Sequence, residues 1–533
     1  MTSTSASWTP GSAPTRTELG VRLGLAPSST PLLHGRHVLV VGIDYDPAGS
    51  GIAPYTTGLA EHLATVAAGV TVLTGIPRRP DGQVPAPYRS GLRFADPAWC
   101  FPEGPRVIRL RPGSPGGTGW FRRILADLGF FANAVAGGRH LDPDLVIGVT
   151  PTPAGAAAAA HLARRAGAPL ITVVQGTAVA ATGTRGSADR GRKAGAGATT
   201  RGAGLALRLA AAMERYALRH STEVAVVSEA FRPAALAAGT PAERLHLLPN
   251  WTRVTPVTES RQSAREALGW PLDRFTVVHA GPIGPRQDLG TAIEAARLLA
   301  LRSEAVAGQA RHTMGGRTGG RSRQGLAEWD RAVLAGAIDL VLVGDGSQRG
   351  ALEQQAFGLL NVRFQDAMDA DTHPLALAAA DVLLVAESPS TDARSTPGLL
   401  ASYLSAGRPV LAAVGDGGPT GCELRRTGGA GLRVEPGDPE ALAEALISLQ
   451  SATVERGVMG RAALRYARAQ LGRPASLRRL DLIVEAALSS ADAGDTHVGR
   501  TGDSTSSIDY RNVRSTVDDR SRDISGPTTR KGR

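Results

Sequence analysis

Short apolar runs rich in β-branched residues alternate along most of the chain with longer Ala/Leu-rich stretches of helical periodicity. Runs of this kind are typical of strands buried on both faces, so the pattern predicts parallel sheets covered by helices. The first series of predicted strands comprises 37–43, 70–74, 144–149, 169–174 and 223–228. The second series comprises 275–281, 338–344, 381–386, 408–414 and 430–434.

The two series predict an α/β protein with two doubly wound, Rossmann-like domains that meet near "LLPNWTRVTP" (247–256). In such sheets ligands bind at the carboxyl ends of the strands, so the cleft between the domains is the expected site. Polar segments of low complexity flank or interrupt this pattern. The predicted organisation is a disordered tail 1–35, a domain 36–250 with an insertion at about 185–203, a domain 251–470 with an insertion at about 302–336, a helix 471–488 and a disordered tail 489–533.

The formal net charge of +11 is concentrated in the two predicted insertions. Residues 185–201 contain five basic residues and one acidic residue, and residues 302–331 contain six arginines and three acidic residues. Solvated loops are the simpler interpretation, and attraction to an anionic membrane surface is the alternative. Aromatic residues do not interleave with these charges, so specific binding of nucleic acid is not expected.

Lysine occurs at just two positions, Lys193 and Lys531, one in an insertion and one in a tail. A phosphate loop and a Schiff-base enzyme each need a lysine at the reacting site, which excludes P-loop NTPases, kinases and pyridoxal-phosphate enzymes. The sequence also lacks HExxH, GxSxG, CxxC and GxGxxG motifs. The chain therefore lacks the sequence signatures of zinc proteases, of serine hydrolases and of ordinary dinucleotide-binding folds.

The segment at the start of the chain does not have the pattern of a secretory signal, and the apolar runs are shorter than a membrane span. Two distant cysteines, Cys100 and Cys422, do not suggest a disulfide framework. These features predict a cytoplasmic protein, with the inner face of the membrane as a further location.

The stretch "VVHAGPIGPRQDLGTAIEAARLL" (277–299) predicts a buried strand, a turn of glycines and prolines, and an amphipathic helix. Amide groups at a helix N-terminus and the dipole bind anions, and glycine permits close approach of the backbone. Arg286 is predicted in the first helical turn, where acidic residues are favoured, so it is a candidate ligand of a phosphate or diphosphate. A solvent-exposed arginine on an ordinary loop is the alternative.

The same stretch resembles the donor-phosphate turn of family 4 glycosyltransferases, which are retaining enzymes of the GT-B fold. The resemblance covers about residues 36–488, with the motifs in the expected order, and is closest to the colanic-acid and exopolysaccharide branch. Its motifs are "GIDYDPAGSGIAPYTTGLAEHLA" (42–64), "AVVSEAFRPAALAAGTPAERLHLLPNW" (225–251), "VLVGDGSQRGALEQQA" (341–356), "ASYLSAGRPVLAAV" (401–414) and "GAGLRVEPGDPEALAEAL" (429–446).

This resemblance implies a hexosyltransferase that moves a sugar from a nucleotide diphosphate sugar to a glycan, lipid-linked or polyol acceptor with retention of configuration. It implies no metal and no cofactor, because a cation on the protein offsets the charge of the leaving diphosphate. The first domain would bind the acceptor, the second the nucleotide sugar, and the last helix would cross back to the first domain. Cell-envelope or exopolysaccharide synthesis is the implied context. Independently of the resemblance, the arginine-for-lysine bias and high Ala/Gly content indicate a GC-rich bacterial genome, and the basic insertions suggest peripheral association with the membrane.

The resemblance also implies roles for individual residues. Arg286 would be the catalytic cation, and a loop near the diphosphate and the acceptor would contain Gly49, Gly51 and Tyr55. The residues that would bind the donor are Gly281, Gly284, Gln287, Gly344, Gly346, Gln365, Pro397, Gly398 and Ser402.

Several positions depart from the family pattern. In the first domain, the exopolysaccharide branch has Gln-Asp where this chain has Gln175-Gly176, and Pro-Glu where it has Pro47-Ala48. Leu399 stands where the exopolysaccharide branch has lysine, and Ser402 stands where many relatives have a ribose-binding glutamate. A catalytically degenerate GT-B scaffold is therefore one alternative function, and a nucleotide-sugar 2-epimerase is another. Of the remaining polar residues, His62 is expected to be structural, and Glu387 is a candidate sugar contact that follows a predicted strand.

Overall fold

The computed structural model contains two sheets, one in each predicted domain. It describes residues 33–47, 51–77, 84, 88, 93–95, 104–111, 120–150, 152–176, 197–253, 259–314, 338–389 and 398–498. The first sheet has the order β3-β4-β2-β1-β5-β6-β7-β8, in which β3 is antiparallel to β4 and the other pairs are parallel. Its strands are β1 (His37–Gly42), β2 (Gly69–Gly75), β3 (Arg93–Ala95), β4 (Arg106–Leu110), β5 (Leu145–Thr150), β6 (Leu170–Val174), β7 (Glu223–Val226) and β8 (Leu245–Leu247).

Helices of small residues cover this sheet closely. The polyalanine helix after β5 is an example, because a Cβ on Gly148 of that strand would lie 2.8 Å from Ala159 of the helix. Pro153 begins the helix and Gly167, in the left-handed region, ends it. The helices are α1 (Ala53–Val66), α2 (Trp120–Gly138), α3 (Pro153–Ala166), α4 (Gly197–Arg219) and α5 (Arg232–Ala237).

The second sheet is parallel throughout, with the order β11-β10-β9-β12-β13-β14. Its strands are β9 (Phe275–Ala280), β10 (Ile338–Val343), β11 (Val362–Gln365), β12 (Val382–Ala386), β13 (Val410–Ala413) and β14 (Gly431–Val434). The accompanying helices are α6 (Arg261–Leu268), α7 (Leu289–Met314), α8 (Arg349–Gln355), α9 (His373–Ala379), α10 (Gly398–Ser405), α11 (Pro419–Arg426), α12 (Pro439–Ser451) and α13 (Thr453–Gln470).

The last helix, α14 (Arg473–Val498), returns to the first domain. Leu480 and Val484 are buried in the same apolar cluster as β1 and β7. His62 of α1 is also buried, and its Nε2 lies 2.7 Å from Asp481 Oδ1 on α14. The predicted two-domain fold with a crossing helix is therefore confirmed, and the histidine has the structural surroundings that we expect of such a residue.

Several predicted boundaries differ from the structure. Leu33, within the predicted first tail, is fully buried, and α14 continues ten residues beyond 488 into the predicted second tail. Helices α4 and α7 also extend into the predicted insertions, because the Ala- and Arg-rich composition that looks low in complexity favours a helix. The remainder of both insertions lies outside the described residues. Among the described helices, none combines the length and apolar character that a bilayer crossing requires.

Candidate active site

Two turns at the carboxyl ends of β9 and β10 are hydrogen-bonded to each other through their backbones. The Gly281 N–H donates to the Val343 carbonyl at 2.9 Å, and the Ile283 N–H donates to the Asp345 carbonyl at 2.9 Å. The Gln348 N–H, before α8, donates to the Ile283 carbonyl at 3.2 Å. The predicted donor turn and the turn Gly344–Gly346, from the quoted motif 341–356, therefore form one unit.

Close approach of these backbones explains why two of the positions are glycine. A Cβ on Gly344 would lie 1.9 Å from the Gly281 oxygen, and a Cβ on Gly346 would lie 2.2 Å from the Ile283 oxygen. A Cβ on Gly281 would lie 2.9 Å from Leu399 Cδ1. Gly284 differs, because its Cβ would make just an ordinary contact of 3.5 Å with Gln287 Oε1. Packing therefore does not by itself require glycine at Gly284.

Arg286 lies in the turn and not in the helix. Helix α7 begins at Leu289, so the predicted placement of Arg286 in its first turn is wrong. Asp288 precedes the helix, and its Oδ2 accepts a hydrogen bond of 2.7 Å from the Thr291 hydroxyl. The side chain of Arg286 is exposed, while its carbonyl accepts from the Ser388 N–H at 2.9 Å. The arginine is thus fixed by its backbone against the end of β12.

A carboxylate lies beside this turn. Glu387 follows β12 directly, and burial raises the pKa of its carboxyl group. Its Oε1 accepts a hydrogen bond from the Thr420 hydroxyl at the start of α11. The structure therefore places the candidate sugar contact next to Ser388, the residue that holds the Arg286 carbonyl.

The N-terminus of α10 adjoins the glycine turn. Leu399, where the resemblance to the exopolysaccharide branch led us to expect lysine, packs against Gly281, so an apolar contact occupies this position. A Cβ on Gly398 would have no atom within 4 Å. The Ser402 hydroxyl donates to the Gly398 carbonyl at 3.2 Å. Pro397 lies outside the described residues.

Gln365 ends β11 and contributes its backbone to the site. Its carbonyl accepts from the Gly344 N–H at 3.0 Å and from Arg349 Nη1 at 3.3 Å. Arg349 Nη1 also donates to the Gly344 carbonyl at 2.9 Å. The sequence did not reveal this arginine, although it lies within the quoted motif 341–356. Its two hydrogen bonds to backbone carbonyls link the Gly344 turn to the end of β11.

The first domain presents a small pocket at the carboxyl ends of β5 and β6. The carboxamides of Gln175 and Asn250 bond reciprocally there, at 2.8 and 3.2 Å. The ring of Tyr55 meets the edge of Trp251 with centroids 5.2 Å apart, and burial raises the pKa of Tyr55. Gly51 is exposed just before α1, and Gly49 lies outside the described residues. Of the predicted acceptor loop, Tyr55 is the residue that lines this pocket.

A second pocket lies between the two domains. Pro249 and Asn250 line it from the first domain, and Gly398, Ala401 and Glu423 line it from the second. It therefore connects the carboxamide pair to the N-terminus of α10. The sequence did not reveal Glu423, because nothing in the pattern of α11 distinguishes it from a surface glutamate.

Glu423 is nevertheless buried. Its Oε1 accepts from the Tyr466 hydroxyl at 2.7 Å, whereas its Oε2 has no hydrogen-bond partner among the described residues. Burial is the main cause of a raised pKa at this carboxyl group. The protein therefore stabilises the protonated form relative to the unfolded chain.

We expect Glu423→Gln to become increasingly stabilising, relative to wild type, as the pH rises. A carboxyl group with a raised pKa in the fold contributes stability below its unfolded pKa and loses it as the pH rises through the folded value. Glutamine keeps an oxygen for the Tyr466 hydroxyl and does not titrate. Melting temperatures of both proteins between about pH 4.5 and 8 check this. A constant difference across that range would contradict it.

The comparisons with known proteins agree with this geometry. Residues 50–251 match the family described as the glycosyl transferase 4-like domain, and residues 324–452 match the glycosyl transferases group 1. The chain is a glycosyltransferase built from these two domains. The putative colanic acid biosynthesis glycosyl transferase WcaI of Escherichia coli K12 is 28% identical over 386 residues, which is 69% of this chain and 81% of WcaI.

Solved structures show that this glycosyltransferase has the GT-B fold. Sucrose-phosphate synthase from Thermosynechococcus elongatus superposes with a TM-score of 0.59 at 17% identity, over 85% of this chain and 100% of the other. The Anabaena protein HepE in complex with UDP-glucose gives 0.53 at 18% identity, over 85% and 100%. WaaG, a glycosyltransferase involved in lipopolysaccharide biosynthesis, gives 0.53 at 17% identity, over 84% and 99%.

Proposed function

We propose that this glycosyltransferase moves a hexose from a nucleotide diphosphate sugar to a hydroxyl group of a glycan, lipid-linked or polyol acceptor, with retention of configuration. The observation that carries the proposal is the glycine cradle. In this cradle Gly344 and Gly346 let two backbones meet, Gly281 makes room for the Leu399 side chain, and Arg286 lies on the same turn as Gly281. The Gly281, Gly344 and Gly346 amides are used inside the turns. The guanidinium of Arg286 and the amide groups at the start of α10 are therefore what would bind a diphosphate.

The reaction follows from what the cradle would bind. The bond between the anomeric carbon and the phosphate oxygen breaks, and the departing diphosphate takes the electron pair. The acceptor oxygen bonds to that carbon on the same face, and its proton passes to the departing phosphate. Arg286 would stabilise the charge that builds up on the diphosphate, so the step needs neither a metal nor an organic cofactor.

The other residues would divide between the two substrates. Gly398 and Ser402, together with Pro397, would face the diphosphate and sugar from α10, while Gln287 and Gly284 would complete the turn. The Gln365 backbone would adjoin the nucleoside. Tyr55, Gly49 and Gly51 would lie on the acceptor side, where the carboxamides of Gln175 and Asn250 offer partners for hydroxyl groups.

The names of the relatives support a role in polysaccharide synthesis. WcaI is named for colanic acid and WaaG for lipopolysaccharide, and HepE was solved with UDP-glucose. We propose that this chain works in the synthesis of a cell-envelope or extracellular polysaccharide, in the cytoplasm and at the inner face of the membrane. Its partners would then be the nucleotide sugar and the acceptor, without nucleic acid.

A degenerate GT-B scaffold is the second candidate, because Leu399 and Ser402 replace two polar donor contacts of the family. We expect nucleoside diphosphates and their sugars to raise the melting temperature of the protein. Binding at one hundred times the dissociation constant stabilises a protein by about 2.7 kcal/mol. The measurement is a melting panel over all common bases, followed by an assay for nucleoside diphosphate released from the stabilising sugar, with and without acceptors.

Three outcomes separate the candidates. Stabilisation with acceptor-dependent release supports transfer. Conversion of the donor to an isomeric nucleotide sugar without any acceptor would identify a 2-epimerase. A folded protein whose melting temperature no nucleotide changes would be the scaffold, and the proposed transfer would be wrong.

A further inference from the structure

A chain of polar side chains joins helix α11 of the second domain to the first domain. Glu229 belongs to the 3₁₀ turn Glu229–Phe231, which two residues separate from β7, and α11 packs on this turn. Arg426 is the last residue of α11, and its Nη1 donates to Glu229 Oε1 at 3.2 Å. The contact joins residues that are 197 positions apart in sequence.

Arg426 is oriented from its own domain. Its Nε donates to the Tyr466 hydroxyl oxygen at 3.1 Å, and that hydroxyl donates in turn to Glu423 Oε1 at 2.7 Å. Glu423 Oε2 lies 3.8 Å from the same Nε. Tyr466 lies on α13 and Glu423 on α11. Two helices of the second domain therefore orient the guanidinium that contacts Glu229 of the first domain.

Glu229 is oriented from the first domain in the same way. Arg232 Nε donates to Glu229 Oε2 at 2.7 Å, and this contact lowers the pKa of the carboxyl group. Glu229 therefore stays ionised and faces the second domain. Each partner is fixed by its own side, so joining them orders few additional side-chain rotamers.

The position of this contact gives it a consequence for the cleft. Glu423 lines the interdomain pocket together with Asn250 and Gly398. Nearby, the Thr252 N–H donates to the Leu471 carbonyl at 2.8 Å, where the chain passes between the domains in both directions. Domain closure in two-domain proteins rotates about a few residues of this kind. A bond between Arg426 and Glu229 would restrict that rotation.

We propose that Arg426 and Glu229 form an interdomain clamp that holds the cleft closed, with Tyr466 and Glu423 as positioning residues for Arg426. The clamp goes beyond the proposed transfer and does not depend on the identity of either substrate. Because it does not include the glycine cradle, it acts on the spacing of the two domains and not on the donor turn itself.

The test measures the separation of the domains in the full-length protein. We expect Arg426→Gln and Glu229→Gln each to increase the radius of gyration in X-ray scattering and to accelerate amide exchange around Leu248–Arg253 by about three- to tenfold. The double variant should match the singles, because each single substitution already breaks the same interdomain bond. Arg302→Gln, which breaks a surface pair with Glu444 inside the second domain, is the matched control and should behave as wild type.

Two results would overturn the clamp: single variants whose scattering and exchange equal those of wild type, or effects that add in the double variant. Melting temperatures exclude loss of folding as the cause of any change. Arg426→Lys retains the charge and should restore part of the closure.

UDP binding tests whether the clamp affects sugar transfer independently of the donor site. The clamp predicts that the dissociation constant of UDP stays within about twofold in Arg426→Gln, while kcat falls and the donor KM changes little. If neither UDP nor any other nucleotide binds the wild-type protein, the proposed function is wrong. The scattering measurement would still show whether the interdomain clamp exists. If UDP binding weakens in parallel with kcat, Arg426 acts on the donor site and the clamp is wrong.

Discussion

Replacing Gly344 with alanine is expected to destabilise the second domain by about 3–5 kcal/mol, among the largest effects of a single substitution. The new Cβ would lie 1.9 Å from the Gly281 carbonyl oxygen, and the backbone φ of +148° is a conformation that alanine rarely adopts. Neither atom belongs to a flexible side chain, so the two turns must separate. For a domain of this size, the melting temperature should fall by about 6–20 °C.

The matched control is Gly350→Ala. Gly350 lies in α8, six residues further on, with no atom within 4 Å of its added Cβ. Alanine favours a helix over glycine by about 1 kcal/mol, so this variant should melt at or above the wild-type temperature. Calorimetry on the two variants checks the pair. Equal melting temperatures would mean that the turns of β9 and β10 do not pack as closely as the structure shows.

The second large effect is expected on catalysis. We expect Arg286→Ala to lower kcat/KM for sugar transfer by about 100- to 1,000-fold, the usual loss when a group that stabilises transition-state charge is removed. Because the side chain is exposed, the melting temperature without nucleotide should change little. Release of nucleoside diphosphate in the presence of an acceptor is the measurement, and melting with nucleotide reports donor binding separately.

Two further variants make this prediction specific. Arg286→Lys keeps a cation but loses bidentate geometry, so its activity should lie between those of Arg286→Ala and wild type. Arg302→Ala removes an arginine of α7 that pairs with Glu444 on α12, within the same domain, and should leave transfer unchanged. If Arg286→Ala transfers sugar as wild type does, the turn does not bind the leaving group and the catalytic role is wrong.

The sequence predicted the central strands correctly and missed weaker ones. Strands β9, β10 and β12 are fully buried and mostly apolar, so an almost continuous apolar run in the sequence predicts each of them. The missed strands β3 and β8 are edge strands of three residues, and β4 carries arginine within its run. Strand β11 is another edge strand and is half-buried along its length. Pairing with a neighbour, and not the local pattern, makes these segments strands.

Some features of the candidate site were also predictable from the sequence, and others were not. The glycine turn, Arg286 and the N-terminus of α10 are local features, because a turn between a strand and a helix leaves a signature in consecutive residues. Their order along the chain also carried the resemblance to the family. The sequence did not reveal that α7 begins after Arg286. The prolines and glycine at 282–285 are compatible with a helix that begins before Arg286 and with one that begins at Leu289.

The sequence by itself thus determined the two α/β domains, the resemblance to glycosyltransferases and the glycine turn after β9, because burial periodicity and turn chemistry act over neighbouring residues. Tertiary structure decided which distant groups meet. It packs Gly344 on Gly281, buries Glu423 in the interdomain pocket and joins Arg426 to Glu229. These contacts depend on how sheets and helices stack, so a glutamate or arginine involved in them has the same local sequence pattern as one on the surface.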